Sequence, residues 1–237
     1  IKNISGKHFL TAVVAGYEVA TRVGSAAGTE LLLRGFHPQG THGTIASAVT
    51  AAKLMDLNKE QTLHAMGIAG SLGAGLMAAQ EGAMVKRLHS GRAAEAGVLA
   101  AELAAKKFTG ISNIIEADYG GYLSSFSGKN NFTRATDQLG EVWECANTGI
   151  KPYSSVTSIH AALDCLKAIM KDNKIYPNNI KKIKAKISHP TYVHCAWAYD
   201  NQNVTSAQMN IYYGLALMAL EGELFVDQFS PDKISNP

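Results

Sequence analysis

Along residues 7–23 the apolar positions Phe9, Leu10, Val13, Val14, Tyr17 and Ala20 recur three and four apart. That spacing puts them on one face of an α-helix, and Gly24 stands where such a helix would end. GFHPQGTHG (35–43) reads as a loop from its glycine and proline. A small-residue helix is predicted over 44–55. Asn58, with Gln61 three positions on, is a capping-box signature, and it opens a helix running to about Ala69. GSLGAGL (70–76) bends or stops that helix. An Ala-rich helix is predicted over 92–107, with Gly110 just beyond it.

The texture changes near residue 150. A helix is predicted over 155–171. In KKIKAKIS the apolar Ile183, Ala185 and Ile187 then alternate with Lys182, Lys184 and Lys186. Period two predicts a half-buried strand with its lysines in water. Residues 205–221 return to helix, with Met209, Tyr213, Ala216, Leu217 and Leu220 on one side. The expected fold is therefore mostly α: a large all-helical part followed by the beginning of a smaller α+β part, the boundary falling near 140–151. No internal repeat is visible.

Composition adds limits. Of 237 residues, 46% are hydrophobic and 17% charged, which excludes a disordered chain. Ala and Gly dominate 40–105, so helix axes there can come close. The same pattern would suit a membrane bundle, but Glu60, Glu81, Lys86, Arg87, Glu95 and Glu102 interrupt it. No apolar run reaches the ~18 residues a spanning helix needs. A net charge of +3 is too small and too dispersed to indicate nucleic acid. Cys145, Cys165 and Cys195 are odd in number and widely spaced, which fits free thiols and a cytoplasmic setting. The first residue is not Met, and both ends read as cuts within a longer protein.

Four stretches carry candidate chemistry. In FHPQGTHGT, His37 and His42 flank a turn leading into a helix, whose free N–H groups form an anion seat. The other reading is a turn shaped by Pro38, Gly40 and Gly43. Two histidines without a nearby carboxylate make a poor metal site. In MVKRLHSGRAAEAG, Lys86, Arg87 and His89 precede a helix start expected near Gly91. Cations belong at the other end of a helix. A bound anion would resolve the conflict, as would long side chains extending into water. In KPYSSVTSIH, Lys151 precedes a proline, and the hydroxyls of Ser154, Ser155, Thr157 and Ser158 surround a helix start that one of them could cap. In SHPTYVHCAW, His189, Tyr192 and His194 follow the expected strand. No nucleophile elbow, phosphate loop, dinucleotide fingerprint or H-E-x-x-H is present. Several cationic helix starts suit a small substrate with more than one carboxylate.

Together the blocks GFHPQGTHGTIASAVTAAKLMDLNKEQ, GLMAAQEGAMVKRLHSGRAAEAGVLAAELAAKKFTG, KPYSSVTSIHAALD and AQMNIYYGLALMALEGEL resemble the MmgE/PrpD family, in order and over nearly the whole chain. That family includes 2-methylcitrate dehydratase, cis-aconitate decarboxylase and some epimerases. The resemblance implies a large helical domain, here 1–145 without its N-terminal part, and an α+β lid, here 146–237 without its C-terminal part. It implies a homodimer, a site between the domains, and no metal or other cofactor. His37, Lys86, Lys151 and Tyr192 match positions expected to be catalytic. Arg87, His89, His160 and His42 are expected to help bind substrate. The activity expected is a hydro-lyase's, dehydration of 2-methylcitrate in propionate metabolism. Decarboxylation of cis-aconitate or epimerisation of a dicarboxylate is the alternative. A non-catalytic carboxylate-binding protein, or an inactive fragment, is the reading from another class. Many bacterial members carry an arginine near Thr157 that this chain lacks, which leaves the acid open.

Overall fold

The computed structural model describes residues 3–200 and 203–235. The chain forms two compact units, one from Ile1–Met77 and Val85–Thr148, the other from Ala78–Met84 and Gly149–Pro237.

The first unit is built on four helices: α1 (Gly6–Ala27), α2 (Pro38–Leu54), α3 (Lys59–Leu72) and α4 (Val85–Ala105). α2 packs against each of the other three, and α4 also packs against α3. The buried side of α4 is Ala93, Ala96, Gly97, Ala100, Ala101 and Ala104, all small. It meets Ala48, Ala51 and Ala52 of α2 in one core. A side chain on Gly97 would begin 2.4 Å from Ser47 Cβ, so the axes are as close as the backbone allows. The capping box at Asn58 and Gln61 is present in both directions.

Three boundaries move. α1 runs through Gly24 and stops at Gly28, whose φ of +65° favours glycine. Gly24 instead gives room to the His42 ring, 3.3 Å from where a Cβ would stand. α2 begins inside the expected loop, because Pro38 at its first position has a helical φ and lacks the N–H that would be unpaired there. α4 starts at Val85, so Lys86, Arg87 and His89 lie inside its opening turns and do not precede it. The apolar face read on α1 is outward: Phe9, Leu10 and Tyr17 are exposed, and Ala12, Gly16, Glu18 and Arg22 are buried.

Arg22 and Glu18 form a buried pair at 2.6 Å, one helical turn apart. Arg22 also donates to the carbonyls of Asp137 and Val142, and Glu18 accepts from the Cys145 N–H. Segment 137–145 is thereby tied to α1.

The second unit contains α5 (His160–Asp172), α6 (His189–Cys195), α7 (Val204–Met209) and α8 (Ile211–Glu221). Its core joins Ile159, Leu163, Ile211, Leu215, Met218 and Leu224. The single helix expected over 205–221 is two. Asn210 separates them, fully buried, accepting from the Tyr212 and Tyr213 N–H groups and donating to the Trp197 carbonyl. No hydroxyl caps the helix at 160; a one-turn 3-10 segment, Thr157–Ile159, leads into it.

The expected strand is not formed. Among the described residues, 181–188 belong to no ladder, and the β-bridges are isolated: Phe36 with Leu76 and Leu139 with Val142. The alternation sorts the side chains only in part, because Ile183 and Ala185 are exposed along with the lysines. Ile187 packs on the core, and the lysines are exposed. What is missing is a paired neighbour for the backbone, without which extended chain is not sheet. The described part of this unit is therefore helical, and the molecule is mostly α. No disulfide joins Cys145, Cys165 or Cys195. No helix of the described residues is long and apolar enough to cross a membrane.

Candidate active site

Pro38 places His37 at the N-cap of α2, with extended backbone. The segment after α3 is laced to that start: His37 N–H donates to the Gly75 carbonyl, Ala74 N–H to the Gly40 carbonyl, and Met77 N–H to the Gly35 carbonyl. Gly75 has φ +134°, and a Cβ there would stand 3.1 Å from the His89 ring. A glycine is needed twice over, for the backbone and for the approach of the imidazole.

His89 reaches this point from the second turn of α4. Its Nδ1 lies 2.9 Å from His37 Nδ1, with ring centroids 5.0 Å apart. His37 is buried. The His89 imidazole is held below its usual range, first by burial and then by the Lys86 charge one turn earlier on α4. Lys86 is half-buried and Arg87 exposed. The start of α4 thus brings two cations, the positive end of its helix dipole and one face of the histidine pair together. His42 is not part of this group. Its ring lies against Gly24 and lines a groove of about 540 Å³ with Tyr17, Ser47, Thr50 and Ser90. Burial pushes its imidazole down to about 4, and its Nδ1 has no hydrogen-bond partner among the described residues.

The other expected residues belong to the second unit. Lys151 Nζ donates to the Ser155 carbonyl at 3.3 Å, and His160 Nε2 lies 3.4 Å from the same oxygen. His160 is buried edge-on against Tyr153, whose hydroxyl donates to Asp164 at 2.6 Å. Burial lowers the His160 imidazole, and the Lys151 charge adds to that; the Ser155 carbonyl and Asp164 pull the other way. Burial, then Asp164, pushes the Tyr153 phenol up to about 12. Tyr192 is exposed on α6 and lines a different groove, about 410 Å³, with Ile183, Ile187, Tyr212 and Leu215. The His194 ring sits 3.1 Å from Ser158 Oγ. Sequence reading passed over Gly75, Tyr153 and Asp164. Gly75 had a signal in the glycine-broken run after α3; Tyr153 and Asp164 stand in the KPYSSVTSIHAALD block, but only the fold shows that they bond to each other. Among the described residues no three His, Cys, Asp or Glu side chains gather to hold a metal ion.

The MmgE/PrpD N-terminal domain is matched over residues 2–135 and the MmgE/PrpD C-terminal domain over residues 153–237, and the chain belongs to this family. Its similar proteins include the cis-aconitate decarboxylase-like protein oryM of Aspergillus oryzae, 34% identical over 98% of this chain and 51% of that protein. Cis-aconitate decarboxylase of Aspergillus terreus is 29% identical over 100% of this chain and 51% of its own length. Human cis-aconitate decarboxylase is 27% identical over 98% of this chain and 49% of its own. The chain spans about half the length of the curated relatives it matches.

Proposed function

We propose that the protein is a lyase acting on a small tricarboxylate, and that the reaction is decarboxylation of a cis-aconitate-type acid. The observation that carries this is the likeness to cis-aconitate decarboxylases along the whole of this chain. None of the relatives named above is a 2-methylcitrate dehydratase, so the dehydration expected from the K-R-L-H block yields to the alternative.

The site residues suit such a reaction. The bond from carbon to the departing carboxylate breaks, CO2 leaves, and the electron pair passes into the carbon skeleton beside a retained carboxylate. A proton then closes the reaction on carbon. Cations must sit on the retained carboxylates, where negative charge grows; a cation on the departing one would hold it back. Lys86, with Arg87 and the first N–H groups of α4, is assigned to one retained carboxylate, and Lys151 to another. His37 is assigned to proton delivery, because an imidazole changes charge near working pH. His89, His160 and Tyr192 keep the substrate-contact roles that the family resemblance implies. His42, neutral and against Gly24, is left as a packing residue of α2. The family further supports a homodimer, a cytoplasmic location and a reaction run by side chains alone; light scattering and fractionation test the first two.

The deciding experiment incubates the product of the complete source gene with cis-aconitate and with 2-methylcitrate. Release of CO2 from the first is expected. Water loss from the second, without CO2 from the first, would return the reading to a dehydratase. Binding of both without turnover would support a carboxylate-binding protein.

A further inference from the structure

The bond between His37 and His89 joins two Nδ1 atoms at 2.9 Å. A nitrogen–nitrogen hydrogen bond needs one donor and one acceptor, so the two rings cannot both carry Nδ1–H. We propose that His89 is the positioning residue of His37, and that the two imidazoles form one unit that takes up one proton beyond their neutral state and resists a second. This rests on the assignment of His37 to proton delivery.

The proton balance closes through the bridge. In the neutral unit His37 donates Nδ1–H, and its Nε2 is a base; His89 accepts at Nδ1 and carries its proton on Nε2. When His37 Nε2 takes a proton, the bridging proton can pass to His89 Nδ1. The charge then sits on His89, and His37 is neutral with Nε2–H. Delivery to carbon runs the same transfers backwards: Nε2–H leaves His37 as the bridging proton returns to its Nδ1. Both rings protonated would set two Nδ1–H groups against each other at bonding distance, which is why the second proton is resisted.

Three elements fix this arrangement. The start of α2 supplies His37, α4 supplies His89 and Lys86, and segment 73–77 carries no titratable side chain. Lys86 is the cation whose field reaches His89. It faces the pair from the same helix and disfavours a second charge in the unit further.

Long-range proton–nitrogen NMR on the histidine-labelled chain tests this without any turnover. The expected result is complementary tautomers for His37 and His89, and one protonation step near neutral pH or below that shifts both rings together. A second step follows only at much lower pH. In His89→Ala, His37 should lose its fixed tautomer and titrate alone. His89→Asn offers an amide to His37 Nδ1 but cannot hold the charge; it should keep the tautomer and lose the shared step. In the complete gene product, His89→Asn should lower kcat about 10²-fold, the lower range of acid–base contributions, and leave KM within about twofold. Independent midpoints in the unaltered protein, or an unchanged His37 tautomer and midpoint in His89→Ala, would overturn the proposal. A shared step in a protein that does not decarboxylate cis-aconitate would uphold the unit and overturn the decarboxylase reading alone.

Discussion

At the scale of single residues, His42 and Lys86 separate packing from chemistry. Burial holds the folded His42 imidazole at about 4, against 6.5 for an ordinary histidine. Between those values the unfolded chain binds a proton that the folded chain refuses. Stability from this residue is complete above pH 6.5 and declines as pH falls towards 4, by at most ~1.4 kcal/mol per pH unit. Urea unfolding from pH 7 down should show that slope, and His42→Leu should lessen it; an unchanged slope in the variant would mean His42 titrates normally. Lys86→Ala and Lys151→Ala test the proposed reaction. Each should lower kcat/KM of the complete gene product by about 10²- to 10³-fold, the loss typical of a group that meets developing negative charge. Near-normal turnover in either variant removes that lysine from the site. The residue types at 37, 86 and 89 were readable as candidates from the sequence. Their geometry was not, because the 2.9 Å contact between His37 and His89 joins positions 52 apart in sequence.

At the scale of elements, the close helix contacts and the Arg22–Glu18 anchor govern stability. Gly97→Ala raises intrinsic helix propensity by ~1 kcal/mol, yet its methyl would meet Ser47 Cβ at 2.4 Å and Ala48 N at 2.5 Å. Net destabilisation of about 1–3 kcal/mol is expected, read as a lower urea midpoint; a stabilised variant would show that α2 and α4 are looser than described. Arg22→Ala would strand Glu18 in the interior and release two carbonyls, a loss of about 3–5 kcal/mol. Burial raises the Glu18 carboxyl, but the Cys145 N–H, the Arg22 guanidinium and the Glu144 N–H outweigh it and hold it below the usual carboxylate range. A lowered folded value means the anchor is intact above the ordinary 4.5 and fails as pH falls through the folded value. Proteolysis within 137–145 should accordingly rise in acid below that range, and should be high at every pH in Arg22→Ala. Periodicity identified α1 as a helix but not its buried face. Phe9, Leu10 and Tyr17 point outward, and close packing on α2 selects Ala12 and Gly16. For the same reason Gly24 read as a helix end, when its lack of a side chain serves the His42 ring.

At the scale of the whole molecule, a ligand that binds the folded chain must raise its unfolding temperature as its concentration rises. Cis-aconitate should do so, acetate at equal ionic strength should not, and Lys86→Ala should weaken the shift. No shift in the unaltered chain would mean that these residues alone do not form the carboxylate seat. The sequence by itself determined the helical class, the capping box at Asn58 and Gln61, the exposed lysines of 181–188, and the family. Those features depend on neighbours three or four residues away, on side-chain alternation, or on ordered blocks along the chain. Tertiary structure decided which side of α1 is buried, that 181–188 pairs with nothing described, and that His89 meets His37 across Gly75. These outcomes turn on which distant backbone comes close enough to satisfy a donor or exclude a side chain. No local pattern encodes that distance.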